Sequence, residues 1–326
     1  MSKTIKIEKD ALVNLLKKVQ RKATYNGKTN PQVESCTLSL VSSPHGSYHL
    51  LSVTSLVKDG VSSIARFKTK INLMDFGMLP GSSNIPVPDI ETLLGILKFH
   101  GKQITLLYDE EMGKTKIRSG KKVTTLATNA NALAYLSSLK TLEEWHEDSI
   151  AVAKKIDATI GTYTIPQTAK WSAETIGPFD AYYSISTTDL FEALRCDGMN
   201  GKKSGRYTFR LDYNQTDNGK LSIETGDDIK GKTSVAIMGT EGQFGDRKEH
   251  FKGTKRDDIP TFTTIDLVFE GGLEESMKLM NGTVDIYFLH FTGRKGAGEY
   301  AMIISDGGPD PSFIFQTSLE STWKKR

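Results

Sequence analysis

Apolar and polar positions along this chain fall into short runs that switch repeatedly between a period of two and a helical period. The first cycle opens with a strand over Thr4–Ile7, and a helix follows from about Glu8 to Lys22, with Glu8 and Asp10 in its first turn. Three strand-like runs come next, Val33–Val41, Tyr48–Lys58 and Val61–Lys68, separated by Pro44-His45-Gly46 and Asp59-Gly60. The second cycle has a strand at Asn84–Val87 and a helix from Pro88-Asp89 to about His100, ended by Gly101. Its strands are Gln103–Tyr108, Lys114–Ser119 and Lys122–Thr128, with turns at Gly113 and Gly120-Lys121. The third has Ala181–Ser186, then a helix capped by Thr187 or Thr188 and running to about Asp197. Strands at Arg206–Tyr213, Lys220–Thr225 and Thr233–Met238 follow, the first two joined by Asp217-Asn218-Gly219. The fourth has Thr263–Phe269, a helix from about Gly272 to Met280, and strands at Val284–Thr292, Glu299–Ser305 and Ser312–Thr317.

One strand, one helix and three strands thus occur four times in order, and a repeat of that kind governs the whole fold expectation. It predicts an α+β protein of two domains, each built from two such cycles: 1–130 and 179–326. The stretch 131–178 does not fit the cycle. Leu133, Leu136, Leu139 and Leu142 give it partial helical character, and it reads as an extended connector between the domains.

The helices sort their residues by face. In the first, Ala11, Leu12, Leu15, Leu16 and Val19 form an apolar stripe, and Asn14, Lys17, Lys18, Arg21 and Lys22 lie opposite. In the second, Ile90, Leu93, Leu94 and Leu97 pack, leaving Lys98, His100 and the following Lys102 outside. In the third, Leu190, Phe191 and Leu194 pack, Arg195 is outside, and a loop with Lys202, Lys203 and Arg206 follows. A single Lys-rich helix is ordinarily a solvated surface; three at equivalent places in a repeat suggest a shared anionic target. The fourth helix departs from the trend, with Glu270, Glu274 and Glu275 against Lys278. Phe99 and Phe191 read as core, so no aromatic base-stacking platform is expected on the helices.

Charge agrees with a polyanion-facing half. The 326 residues carry a net charge of +3, yet residues 1–130 hold 19 Lys and Arg against 10 Asp and Glu, and residues 131–326 hold 23 against 29. No apolar run approaches the length of a membrane span, and Met-Ser-Lys-Thr-Ile carries no apolar signal core, so an intracellular, cytoplasmic protein is expected. Cys36 and Cys196 are too few for a disulfide framework and show no zinc spacing; neither a metal nor a cofactor is expected.

Enzyme motifs are missing from the sequence. Gly201-Lys-Lys-Ser-Gly is a basic loop rather than a phosphate loop, for no strand leads into it. His146-Glu147-Asp148 reads as a polar helix end, Asp227-Asp228 and Asp257-Asp258 read as turns, and no Gly-x-Ser-x-Gly elbow occurs. A catalytic role is not expected.

With these elements in place, the chain resembles the DNA sliding clamps, the family of proliferating cell nuclear antigen, the phage clamp and the bacterial polymerase III beta subunit. Ile85-Pro-Val-Pro-Asp-Ile-Glu-Thr-Leu-Leu-Gly-Ile-Leu-Lys98 resembles the family's helix-entry segment. Gln103-Ile-Thr-Leu-Leu-Tyr-Asp109 with Lys116-Ile-Arg-Ser-Gly-Lys121 resembles the hairpin after it, and Glu299-Tyr-Ala-Met-Ile-Ile-Ser-Asp306 with Ser312-Phe-Ile-Phe315 the C-terminal hairpin. The resemblance implies a ring with helices inside and sheets outside, a homotrimer when each chain has two domains. It implies a processivity factor that encircles double-stranded DNA and has DNA polymerase and a clamp loader as partners. Lys17, Lys18, Arg21, Lys22, Lys98, Lys102, Arg195, Lys202 and Lys203 would face phosphates. A partner-peptide pocket would lie at Tyr300, Met302, Pro309, Pro311, Phe313 and Phe315. Ring closure would join sheet edges at Lys114–Ser119 and Thr233–Met238. The alternative functions are a viral polymerase accessory subunit of this fold that never closes into a ring, and a β-rich virion protein with no DNA role.

Overall fold

The computed structural model describes residues 2–20, 22–25, 28–31, 35–42, 48–58, 61–71, 84–109, 111–126, 163–164, 175–176, 181–197, 205–212, 220–227, 231–238, 241–244, 262–278, 280, 282–290, 296–306 and 312–325. Residues 131–178, expected as a connector, lie outside this set except for two short strands. The chain forms two compact units, one of Met1–Arg21, Pro31–Ser55 and Ala65–Glu147, the other of Lys22–Asn30, Leu56–Ile64 and Asp148–Arg326.

The first cycle contains β1 (Ser2–Glu8), α1 (Lys9–Gln20), a small hairpin of β2 (Lys22–Tyr25) and β3 (Lys28–Pro31), then β4 (Cys36–Ser42), β5 (Tyr48–Lys58) and β6 (Val61–Ile71). The second contains β7 (Asn84–Val87), α2 (Ile90–Leu97), β8 (Gln103–Asp109), β9 (Lys114–Ser119) and β10 (Lys122–Leu126). After β11 (Tyr163–Thr164) and β12 (Thr175–Ile176), the third has β13 (Ala181–Ser186), α3 (Thr187–Arg195), β14 (Arg206–Asp212), β15 (Lys220–Asp227), β16 (Gly231–Met238) and β17 (Glu241–Phe244). The fourth has β18 (Phe262–Glu270), α4 (Glu274–Lys278), β19 (Thr283–His290), β20 (Tyr300–Ser305), β21 (Phe313–Thr317) and β22 (Glu320–Lys325). Strand, helix and three strands recur four times, with the β2–β3 hairpin, β17 and β22 added.

The sheets are built by exchange between cycles. β1 of the first cycle joins the three strands of the second in the order β1-β8-β9-β10, and β7 of the second joins the first in the order β6-β5-β4-β7. The other unit repeats this arrangement. β13 leads into β19-β20-β21, with β17 on its free side, and β18 lies beside β14 in the order β16-β15-β14-β18-β22. The same corner bond accompanies three of the exchanges. The residue after each exchanged strand donates its backbone N–H to the carbonyl just before the partner strand: Lys9 to Lys102 at 2.7 Å, Thr187 to Gly282 at 2.9 Å, and Gly271 to Gly205 at 2.8 Å. Since an exchanged strand completes the other cycle's sheet, neither cycle can bury its apolar face alone.

Local chemistry explains the element ends. Asp89 caps α2 by accepting from the Thr92 N–H at 2.8 Å. Ser186, rather than Thr187 or Thr188, caps α3 by accepting from the Thr188 N–H at 3.2 Å. Thr187 is instead buried, its hydroxyl 3.0 Å from the Gly282 carbonyl. α1 stops at Gln20, short of the expected Lys22, which opens β2. Gln20 is fully buried and its amide donates to Glu91 on α2 at 2.7 Å, so the helix end is fixed by a partner element. α4 is shorter than expected, Glu274–Lys278.

The core follows the alternation of the strands. In β8, Ile104, Leu106 and Tyr108 are buried and the residues between them are not. In the second unit, Phe209 of β14 lies 5.6 Å from both Phe269 of β18 and Phe288 of β19, which joins the two sheets through aromatic rings. The opposite face of β14–β18 is polar. Arg210 forks onto Asp266 through Nε at 2.7 Å and a terminal nitrogen at 3.0 Å, and reaches Glu224 at 2.8 Å; Lys324 of β22 meets Asp266 at 2.5 Å. Burial alone would raise the Asp266 pKa; the hydrogen bonds from Arg210 and Lys324 outweigh it and hold the carboxyl below its ordinary value.

One expected sheet edge is corrected. β9 lies inside its sheet, paired with β8 on one side and β10 on the other, because the β9–β10 hairpin adds one strand beyond it. The described edges of that sheet are β1 and β10. β16, the other expected edge, does end its sheet.

Candidate nucleic-acid interface

Each helix ends in a cation: Lys17 and Lys18 in the last turn of α1, Lys98 at the end of α2, Arg195 in the last turn of α3 and Lys278 in that of α4. Cations there are favoured by the helix dipole whatever else they meet. What distinguishes them is how they are held. Lys17 is exposed, whereas Lys18 is half-buried with its ammonium 5.8 Å from the centre of the Phe67 ring. Lys98 and Lys102 are exposed on either side of the corner that leads into β8. Arg195 is exposed but bonded to Glu192 at 3.3 Å, so part of its field is cancelled. The side chain of Lys22, and Arg21, Lys202 and Lys203 altogether, lie outside the described residues.

Two expectations at the end of α2 are reversed. His100, expected outside, is 5 % exposed, and its Nε2 lies 3.0 Å from the Thr124 hydroxyl. Burial first, and then the nearby Lys122 ammonium, lower its pKa. Phe99, expected in the core, is 75 % exposed. The regular helix stops at Leu97, and the tighter turn beyond it, with Phe99 and His100 bonded to the carbonyls three residues back, rotates His100 inward and Phe99 outward. Phe191 is half-buried.

The acidic fourth helix is also corrected. Glu274 is half-buried and interacts with the Tyr207 hydroxyl, which in turn accepts from the Gly272 N–H at 3.3 Å. Burial and this carboxylate push the Tyr207 hydroxyl well above its ordinary pKa. Glu270 is half-buried at the end of β18. The Glu274 carboxylate thus serves the joint between the cycles rather than an outer surface; the Glu275 side chain lies outside the described residues.

The residues expected to line one pocket are divided by the sheet. Met302 pairs with Gln316 and Phe288, placing it on the core face with Tyr300 two positions away. Phe315 pairs with Ile303, which pairs with Tyr287, and these three share the other face with position 313. Tyr300 and Met302 therefore cannot line one surface with Phe315. All three are buried, Phe315 at 6 % exposure. The Phe313 side chain, Pro309 and Pro311 lie outside the described residues. Among the described residues, no group of three His, Cys, Asp or Glu is placed to hold a metal ion, and no helix is long and apolar enough to cross a membrane.

No protein-family model and no curated protein matches the sequence. Solved structures do match. The DNA polymerase sliding clamp of Bacillus subtilis aligns with 97 % of this chain and 63 % of its own, at a TM-score of 0.52 and 11 % identity. The chain has the DNA sliding-clamp fold. The Caulobacter crescentus beta sliding clamp aligns with 97 % of this chain and 66 % of its own, at 0.50 and 11 %. The Helicobacter pylori beta clamp, solved with a DNA ligase peptide, aligns with 99 % and 68 %, at 0.50 and 10 %. The chain thus spans just under two thirds of the length of the first two clamps. The fold expected from the sequence, α+β of the sliding-clamp kind, is thus the one observed.

Proposed function

We propose that this chain is a DNA sliding clamp, a non-enzymatic processivity factor that encircles duplex DNA and tethers a DNA polymerase. The observation that carries this reading is the fold, built by strand exchange in both units and aligning over nearly the whole chain with a DNA polymerase sliding clamp. In this reading 1–130 and 179–326 are clamp domains joined by 131–178, and three copies close the ring. The cationic helix ends supply phosphate contacts that carry no sequence information and therefore permit sliding. Lys17, Lys98 and Lys102 are the strongest contributors, being exposed; Arg21, Lys22, Lys202 and Lys203 are assigned with them on sequence alone. A clamp loader is the partner that opens the ring, and a partner peptide docks at the face that carries Phe315.

The test is mass together with DNA topology. Light scattering should give about three times the 36.0 kDa chain mass, and protein loaded on nicked circular DNA should be released when the circle is linearised. A protein that stays monomeric at micromolar concentration, or leaves circular and linear DNA equally fast, is not a closed clamp.

A further inference from the structure

β9 reads Lys-Thr-Lys-Ile-Arg-Ser, and its two faces differ completely: Thr115 and Ile117 are buried, Lys116 and Arg118 are exposed and Lys114 is half-buried. The strand registers extend the exposed face across the sheet. Arg118 stands beside Thr105, and Thr105 beside the exposed Lys6 of β1. Lys116 stands beside Leu107 on one side and Thr125 on the other. Positions two apart on a strand are about 7 Å apart and neighbouring strands about 5 Å, so Lys6, Lys114, Lys116 and Arg118 form one basic patch. Two carboxylates share the face, at opposite ends of it. Glu8 lies beside Gln103, and Asp109 is engaged in the β8–β9 turn, where it accepts from the Met112 N–H at 3.2 Å.

The patch looks away from the helices. The turn after α2 is bonded to Ser119, Lys122 and Thr124, at 2.8, 2.9 and 3.0 Å. Ser119 pairs with Lys122 and Thr124 with Ile117, so these residues belong to the buried face and Lys116 and Arg118 to the opposite one. Lysines on the solvated face of an antiparallel sheet are ordinary. What sets this face apart is that its charge is not balanced. In the other unit Arg210 and Lys324 meet Asp266, Arg210 also meets Glu224, and Arg206 meets Glu320. Strands β13, β19, β20 and β21, which repeat the β1–β8–β9–β10 arrangement, contain neither lysine nor arginine. Among the described residues Lys116 and Arg118 form no ion pair.

We propose that this face is a second site for duplex DNA, separate from the duplex that the ring encircles, so that one clamp holds two DNA segments at once. The inference rests on the clamp reading, which puts the encircled duplex on the side of α1 and α2. The face offers point charges to phosphates and carries no aromatic side chain on which an unpaired base could stack. Its apolar members, Leu107 and Val123, are not paired with each other, so it presents no apolar cluster for the anchor residue of a polypeptide partner.

Lys116→Gln with Arg118→Gln tests it in the full chain, alone and in the Lys17→Ala, Lys98→Ala, Lys102→Ala background, with circular dichroism and mass to check fold and assembly. Both positions are exposed, so neither check should change. In each background the pair should flatten the log–log slope of duplex affinity against salt by about 1.8. Raising salt from about 50 to 200 mM should then cost roughly tenfold less affinity than it costs the parent. A bead-bound duplex should capture a labelled second duplex through the wild-type protein and lose it with the pair, although the pair still binds the beads. An unchanged slope in both backgrounds overturns the proposal and leaves the clamp reading intact, since ring mass and release from linearised DNA test that reading separately. A single strand that binds the triple variant more tightly than duplex also overturns it, as does a poly-glutamate peptide that displaces duplex from that variant as well as unlabelled duplex does. A slope flattened by the pair but not by the triple variant would remove the helix-end assignment and leave this one standing.

Discussion

Thr187 is bound twice to the carbonyl of Gly282, through its N–H at 2.9 Å and its hydroxyl at 3.0 Å. These residues are nearly a hundred positions apart, and the bonds fasten the start of α3 to the entry of β19. The backbone part of this link recurs between Lys9 and Lys102 and between Gly271 and Gly205. The corner thus belongs to the repeat, and it is where two cycles become one cooperative unit.

The glycines at these corners should differ in what they tolerate. Gly282 has φ +85°, with open space where a Cβ would stand, so Gly282→Ala meets only backbone strain of about 1–2 kcal/mol. At Gly271 a Cβ would sit 2.8 Å from the Gly205 carbonyl oxygen, a contact that backbone cannot relieve by turning a side chain. Gly271→Ala should therefore lower the melting temperature more than Gly282→Ala does. Equal losses in thermal unfolding would mean that the corner yields freely.

The Arg210 cluster should stabilise the second unit and fail in acid. Arg210→Ala leaves Asp266, 10 % exposed at its side chain, with Lys324 as its remaining cation, and should cost roughly 2–4 kcal/mol in urea unfolding. Asp266 has a depressed pKa when folded, so its contribution is present above the unfolded value near 4 and is lost as pH falls through the lower folded value. The gap between wild type and Arg210→Ala should close as pH drops below about 4. A gap that stays constant there would show that charge is not its source.

His100 acts in a higher window. Its folded pKa lies below the ordinary histidine value of 6.5, because burial and the Lys122 ammonium disfavour the charged ring, so the unfolded chain binds the proton more readily and protonation opposes folding. Wild-type stability should fall as pH drops below about 6.5. A His100→Gln variant, which keeps a side-chain group able to bond Thr124, should lose less over the same interval. Parallel curves for the two proteins between pH 7 and 5 would exclude His100 as the cause.

Four strand–helix–three-strand cycles were legible because β1, β8 and the helices each keep one face apolar, a local signal. Their exchange was not: whether β1 pairs with β4 or β8 depends on distant register, and either choice satisfies the same alternation. β22 escaped notice because Glu320–Lys325 is polar at most positions and is held by pairing with β18, with Lys324 meeting Asp266. At the candidate site the cations were legible as side chains on helix faces. Phe99 and His100 depart from the helical period because that period ends at Leu97, where the chain tightens. The division of Tyr300 and Met302 from Phe315 needed strand register, although the i, i+2 rule did place 313 and 315 together.

Phe315 should prove structural before it proves functional. It is 6 % exposed and shares a face with Ile303 and Tyr287, also buried. Phe315→Ala removes a ring from a packed layer and should cost about 3–5 kcal/mol. Lost polymerase stimulation by that variant would therefore be uninterpretable without a stability measurement. Phe315→Leu, which keeps most of the volume, separates the roles. If it folds and stimulates normally, the ring is needed only for packing; if it folds but fails to stimulate, a partner reads that face.

Exposed cations should govern DNA affinity through salt. Lys17, Lys98 and Lys102 are exposed, so each phosphate contact one of them makes adds roughly 0.9 to the log–log slope of affinity against salt. Replacing all three by Ala should flatten the slope by up to about 2.7 and weaken binding alike for all duplex sequences. Arg195→Ala should matter less, because Glu192 already occupies one guanidinium nitrogen at 3.3 Å. Lys18→Ala should act through stability as well, since its ammonium lies over the Phe67 ring, and melting must be measured beside binding for that variant. These cations also sit where helix dipoles favour them, so their placement alone does not require DNA. The slope decides between the two causes: an unchanged slope in the triple variant would leave the dipole as the full explanation and would place the DNA-facing surface elsewhere on the molecule.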